Sequence, residues 1–468
     1  MSCNRRQVVA GLAGTLALPA IGRLSCAAVP DRPVMPVPAL RDASEGRIRL
    51  RIRDGSWSFD GKRHTPTWGF SQDYLGPVLR VRRGGELAIR YENTVAEDVA
   101  VHGHGLHVIG ELDGGPQRAI APGDSWEPVL PIVQEAATVW YHSHTHMKTG
   151  PQVYKGLAGM IIIDDDNSDS LPLPRRYGVD DIPFVVQDKD FNRDGTLSYN
   201  KLGLGRFYAA HVMVNGTIRP RVKVPPGLVR LRILNGSNRR YLNFVFTDGR
   251  AFHVVAGDGG FLEEPVEVTS LFTNPGERYE VLVDFSDGLP ATMRSVPAER
   301  TPDNYPEFDP IQGDQTIGYF DVDRAIAADP EARIPSRLNE IARLDPGAAT
   351  VTRKFLMETG QPMTINGKAM DMDRIDERVK RGAVEIWELE GDLHNFHAHG
   401  CSFQVLSVNG REPPAHMRGP KDTVIVDERS SFIVRFDHTA PDEFPYMYHC
   451  HLLEHEDMGM MGQFVVSD

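Results

Sequence analysis

Polar and apolar positions alternate along much of the chain. After Gly85, the run Glu-Leu-Ala-Ile-Arg-Tyr-Glu-Asn93 puts Leu87, Ile89 and Tyr91 on one side, the period-2 pattern of a half-buried strand following a glycine turn. The same skeleton returns at Gly227-Leu-Val-Arg-Leu-Arg-Ile-Leu-Asn235, and again from Gly382 through Val384 and Ile386 to Glu390. The copies begin 142 and 155 residues apart, the length of one β-sandwich domain with its loops. Short Val/Ile-rich strands separated by Gly, Pro and Asn turns fill the rest, so the pattern predicts an all-β chain of three sandwiches. The acidic run Asp164–Ser170, followed by Leu171-Pro-Leu-Pro174, reads as a linker, and residues 325–350, Ala-rich and punctuated by prolines around Ile334–Leu344, predict a helix between the second and third units. The expected organisation is a leader at 1–28, domains at 45–165, 176–323 and 351–468, and a linker at 324–350. The sequence Asp190-Phe-Asn-Arg-Asp-Gly195 begins like a calcium loop, but Lys201 stands where a bidentate glutamate is needed, so a turn is expected.

Composition narrows the function. The chain has 468 residues, 41% hydrophobic and 25% charged, the balance of a globular protein with more than one core. A net charge of −13 argues against non-specific nucleic-acid binding, which needs a basic surface. No apolar run away from the N-terminus reaches membrane-spanning length. At the N-terminus, Arg5-Arg6 precedes an uncharged stretch to Gly22 and a small-residue patch at Ser25–Ala28, which resembles a twin-arginine export signal and predicts a periplasmic protein. With Cys3 and Cys26 in or beside the leader, Cys401 and Cys450 remain. Cys450, inside His449-Cys-His451, reads as a metal thiolate, and Cys401 as a buried thiol.

Histidine carries the chemistry. Ten of the seventeen fall in four clusters: His102 and His104; His142 and His144; His394, His397 and His399; His449, His451 and His455. On a strand, residues i and i+2 share a face, so each His-x-His pair aims two imidazoles one way. Eight such imidazoles from two distant regions predict one polynuclear site between the first and third domains. Their number alone does not select copper, zinc, iron or nickel. Alternation turns Cys450 away from His449 and His451 towards a second site, with His394, His455 and Met460 as companions. Two histidines, a thiolate and a thioether form a blue-copper ligand set, whereas zinc leaves the methionine and the other histidines unexplained.

These four motifs, in order and spacing, resemble those of the multicopper oxidases. The likeness continues through Asp113-Gly-Gly-Pro-Gln117, Trp140–His144, Lys148–Gln152, Gly156–Gly159 and His449–Met460, and is greatest to the bacterial periplasmic laccase-like and copper-efflux branch. The resemblance implies three cupredoxin-like Greek-key domains, four copper ions and reduction of dioxygen to water. It assigns His102 and His397 to type 2 copper, and His104, His142, His144, His399, His449 and His451 to the type 3 pair. His394, Cys450, His455 and Met460 are assigned to type 1. Asp113 and Glu456 match proton-supply acids. Gly103 stands where tryptophan is usual in the family, and Asn395 where proline is usual. Relatives that keep the fold as a copper-free scaffold, for example in cell division, have lost ligands, and this chain keeps all twelve. A copper store would not need this set, and a copper nitrite reductase would not need eight clustered histidines.

The expected substrate follows from a missing feature. Cuprous oxidases of the resembled branch place methionines over the type 1 site, whereas Thr352–Gly367 holds only Met357 and Met363. Met370 and Met372 are read as core residues. An open type 1 edge is therefore expected, admitting phenols, with Asp392 accepting the hydroxyl proton or holding a metal cation. Cuprous ion is the alternative reductant. A monomer is expected.

Overall fold

The computed structural model describes residues 32–199, 209–297 and 315–468, so residues 1–28, expected to be an export leader, lie outside the described residues. Each copy of the repeat becomes a strand: Glu86–Asn93, Leu228–Asn235 and Val384–Ala398. Each runs parallel to an earlier strand, respectively Ile48–Trp57, Asp181–Phe191 and Val351–Glu358. The shared sequence skeleton thus has one structural meaning in all three places.

In the first sandwich, a sheet ordered Leu40–Asp42, Val78–Arg82, Ala158–Asp164, Ala137–Ser143, Val101–His104 faces a second sheet built around Ile48–Trp57 and Glu86–Asn93. Leu50, Ile52, Leu79, Ile89, Val139 and Ile161 fill the space between. The middle sandwich is closed in the same way over Phe184, Leu231, Ile233, Val281 and Phe320. Burying such side chains contributes roughly 1.5–3 kcal/mol each.

The third sandwich is a single eight-stranded sheet. Its fifteen-residue strand Val384–Ala398 pairs with Val351–Glu358 over its first half and with Tyr446–His449 at its end, while Thr423–Arg435 follows it throughout. The register breaks between Gly391 and His394, and Leu393 takes a left-handed φ of 57° there. This bulge carries the strand from one layer to the other. Trp387, fully buried, anchors the core among Phe355, Phe396, Phe432 and Tyr448.

Two local expectations are corrected. Residues 166–170 form a short helix, because Asp165 and Ser168 make a capping box that satisfies its first N–H groups. The helix expected over Ile334–Leu344 is absent. Pro335 interrupts it and Pro330 and Pro346 flank it, and the chain instead crosses the surface as an extended strap: Leu338 donates its N–H to the Glu263 carbonyl and Arg333 to that of Pro172. At Asn192–Gly195 the chain makes a turn between paired strands. No helix among the described residues is long and apolar enough to cross a membrane.

Candidate metal centre

Two strand pairs bring the histidines together. In the first sandwich His102 lies opposite His142, and in the third His397 lies opposite His449. The ends of both pairs meet face to face: His104 stacks on His397 and His102 on His399, with ring centroids 3.7 and 3.8 Å apart. Gly103 permits the close packing beneath, since a Cβ there would meet Leu106 Cδ1 at 2.7 Å.

The ring nitrogens divide into those that hold the protein and those left over. A carbonyl only accepts, so a ring nitrogen beside one must carry the proton. His102 Nδ1 donates to the Asp113 carbonyl, His397 Nδ1 to that of Asp422 and His142 Nδ1 to that of Ser143, each at 2.8 Å. His449 Nδ1 donates to the Cys450 carbonyl at 3.0 Å. His399 Nδ1 lies 2.8 Å from Asp113 Oδ2, and His104 turns the other way, with Nε2 3.1 Å from Asp422 Oδ1. The opposite nitrogens converge. His102, His397 and His399 form one group, His104, His142 and His451 a second, and His144, His399 and His449 a third, with ligand atoms in each group within 4.8 Å of one another. In the third group the Nε2 atoms of His144 and His399 each lie 3.2 Å from His449 Nε2. The Nε2 atoms of His102, His142 and His397 and Nδ1 of His104 are buried with no hydrogen-bond partner, a costly state that a metal ion relieves. Burial, then the neighbouring imidazoles, hold His104, His142, His144, His397, His399 and His451 well below the usual histidine range. Burial also takes His449 down to about 3. Neutral imidazoles with converging lone pairs are the form a metal takes.

A fourth group lies immediately behind. Cys450 Sγ is 3.7 Å from His394 Nδ1 and 3.8 Å from His455 Nδ1, which are 3.1 Å from each other. Cys450 donates its N–H to the Met460 carbonyl, and the Met460 side chain is fully buried in the same core. Burial pushes the thiol up to about 12, against hydrogen bonds from the main-chain N–H groups of Leu452 and Asn395. A thiolate in such surroundings needs a cation. Soft sulfur, two imidazoles and a nearby thioether suit copper.

The open edge expected at this group is absent: His394 is 1% and His455 2% exposed. Thr359 Oγ1 covers His394 Nε2 at 3.2 Å, and the Arg239 guanidinium meets His455 Nε2. Met357 and Met363 are buried in the third core, away from any lid role. Asp392 is exposed on the bulge before His394.

Asp113 is buried under the cluster, where its carboxylate and carbonyl serve different histidines. Glu456 accepts from Thr149 Oγ1 at 2.6 Å and lies 3.2 Å from His449 Nδ1. Burial, together with Asp457 and Glu454, raises its pKa well above the carboxylate range. Spacing did not reveal Asp422, Arg239 or Arg278, which reach the site from remote segments. Arg278, fully buried on the middle sandwich, donates to Asp422 Oδ1 at 2.8 Å. Only a three-dimensional contact reveals them.

Family profiles described as multicopper oxidase match residues 51–168, 189–292 and 343–468. The chain is 37% identical to the Cell division protein FtsP of Salmonella typhimurium and 39% identical to that of Sodalis glossinidius, each match covering 100% of this chain and 99% of the relative. Among solved structures it resembles a laccase-like multi-copper oxidase, CueO, from Ochrobactrum sp., at 37% identity and a TM-score of 0.86. That match covers 92% of this chain and 100% of the other, a protein described with oxidase activity towards lignin model compounds. It also resembles the McoA multicopper oxidase of Aquifex aeolicus, at 30% identity and a TM-score of 0.85, covering 93% and 100%.

Proposed function

The chain belongs to the multicopper oxidase family, with its three cupredoxin-like domains, and on that premise we propose that it is an exported, periplasmic copper oxidase of small aromatic reductants. One observation carries this reading: three groups of buried imidazoles with converging nitrogens stand directly behind a cysteine–histidine pair. His102 and His397 would hold type 2 copper. His104, His142 and His451 would hold one type 3 ion, and His144, His399 and His449 the other. His394, Cys450, His455 and Met460 would hold type 1 copper. When bound, copper supplies one-electron acceptance at the cysteine group and reduction of dioxygen to water at the histidine cluster.

The protein's own groups set the rest. The main chain of Cys450 continues directly into His449 and His451, so the two groups are joined by covalent bonds. Glu456, kept protonated by burial, holds a proton beside His449 and His144, and Asp113 orients His399. Arg239 blocks the His455 edge, which favours His394 as the contact for a reductant at Thr359, with exposed Asp392 there to accept a phenolic proton. The names of the curated relatives favour a second reading, a role in cell division without turnover. Copper-loaded protein given a substituted phenol separates the readings: oxygen uptake without added copper is expected. Absence of uptake favours the cell-division role, and a strict need for excess copper favours cuprous ion as the substrate.

A further inference from the structure

The middle sandwich reaches the histidine cluster through Arg278, which opens the strand Arg278–Asp284 and is fully buried. Its guanidinium touches all three sandwiches. Nε donates to the Thr138 carbonyl at 3.2 Å, Nη1 to that of Gly276 and Nη2 to that of Asp258, both at 2.9 Å. The remaining N–H groups grip the Asp422 carboxyl, Nη1 on Oδ1 at 2.8 Å and Nη2 on Oδ2. Arginine only donates, so both oxygens accept. Oδ1 also faces His104 Nε2 at 3.1 Å and accepts the Thr423 hydroxyl at 2.9 Å, while the Asp422 carbonyl accepts from His397 Nδ1. The adjoining chain is shaped to admit this pair. Gly105 takes a left-handed φ of 85°, and a Cβ there would lie 2.8 Å from both Arg278 Nη2 and Asp422 Oδ2.

We propose that Arg278 is a positioning residue for the histidine cluster: by gripping both Asp422 oxygens it sets His104, from the first sandwich, and His397, from the third, with their free nitrogens converging. This rests on the reading of the cluster as a copper site. A carboxylate that accepts from Nε2 leaves the lone pair of His104 on Nδ1, and Nδ1 is the atom buried there without a partner. At His397 the carbonyl takes the Nδ1 proton and leaves Nε2, which is likewise buried without a partner. Both settings depend on Asp422 staying where it is. Two parallel N–H···O bonds from a planar guanidinium fix the place and the rotation of a carboxylate, which a point charge does not. Glu277 lies in the same buried ion group but bonds Lys421 Nζ, at 2.6 Å.

The test titrates copper-loaded wild type, Arg278→Lys and Glu277→Gln with a chelator, following released copper and the blue absorption of the cysteine group in the same sample. Arg278→Lys keeps the charge but loses the two-point grip. It is expected to hold cluster copper roughly 10–100-fold more weakly, the usual worth of a group that orients a metal ligand, with the blue band intact. Glu277→Gln is expected to unfold at lower denaturant and yet to release cluster copper as wild type does. Arg278→Lys that releases copper like wild type, or that loses blue and cluster copper together, overturns the proposal. So does Glu277→Gln that loosens the cluster as much. If Arg278→Lys does not fold, Asp422→Asn, which cannot accept on both side-chain atoms, is expected to show the same selective loss, and wild-type release from it overturns the proposal. Wild type whose copper is all accounted for by the blue centre overturns the cluster reading and this inference together. A loaded cluster that Arg278→Lys leaves unchanged overturns this inference alone.

Discussion

Cys450 and the histidines divide into groups that single substitutions separate. Cys450→Ser removes the sulfur beside His394 and His455, so it is expected to bleach the copper-loaded protein and stop turnover while the histidine cluster still binds metal. His102→Ala or His397→Ala removes a ring whose remaining nitrogen faces the histidine cluster and belongs to no group with Cys450. The blue absorption is expected to persist while oxygen reduction stops, and loss of the blue band in a folded His102→Ala would show that the division of ligands is wrong. Much of this was legible beforehand, because a strand converts i, i+2 spacing into a shared face and His-x-His is visible in one dimension. Asp422 and Arg239 were not legible. Asp422 reaches His104 across 318 positions of sequence and Arg239 reaches His455 across 216, and neither segment carries a spacing signal. The expected open edge at His394 failed because Thr352–Gly367, read only for its methionines, sets Thr359 over the ring, while remote Arg239 closes the His455 side.

Among the elements, the short helix Leu453–Asp457 concentrates the acid chemistry. Glu454, Glu456 and Asp457 are all buried on it, and it packs against the helix Thr149–Lys155, whose first N–H groups donate to Asp457 at 2.9 and 3.0 Å. Donors and the helix N-terminus together stabilise a buried anion, leaving Glu456 as the acid held neutral by burial and by its neighbours. Glu456→Gln keeps the contact to Thr149 but cannot release a proton. It is expected to slow oxygen reduction by roughly 10²–10⁴-fold, the range of general acid catalysis, with reduction of the blue centre by substrate unchanged in stopped flow. The repeat strands were legible because glycine turns and alternation fix them locally. Around Ile334–Leu344 the alanine content of residues 325–350 suggests a helix, where Pro330, Pro335 and Pro346 and the docking of Leu338 against Glu263 decide otherwise.

At the scale of the whole molecule, the middle sandwich supplies none of the proposed ligands yet holds the other two. Glu280 accepts from Thr138 of the first sandwich at 2.6 Å, from Arg232 at 2.8 Å and from Arg230 at 2.8 Å, all buried. Burial pushes Glu280 up, but Arg230 and Arg232 outweigh it and hold the carboxyl at about 2, below its ordinary 4.5. A depressed carboxylate contributes stability that is fully present above about 4.5 and lost as pH falls towards 2. Glu280→Gln is therefore expected to cost about 3 kcal/mol in denaturant unfolding at pH 7, and this deficit shrinks through that window. A deficit independent of pH would place the stabilisation in packing.

The most direct test of the oxidase reading is the ratio of reductant oxidised to dioxygen consumed by copper-loaded protein in an oxygen electrode, with hydrogen peroxide assayed in the same sample. The expected result is about four one-electron equivalents of phenol per dioxygen with no peroxide accumulating, since an eight-histidine site built for several metal ions completes the reduction to water. Fully loaded protein that consumes no oxygen, or that releases one peroxide for every two electrons, contradicts it.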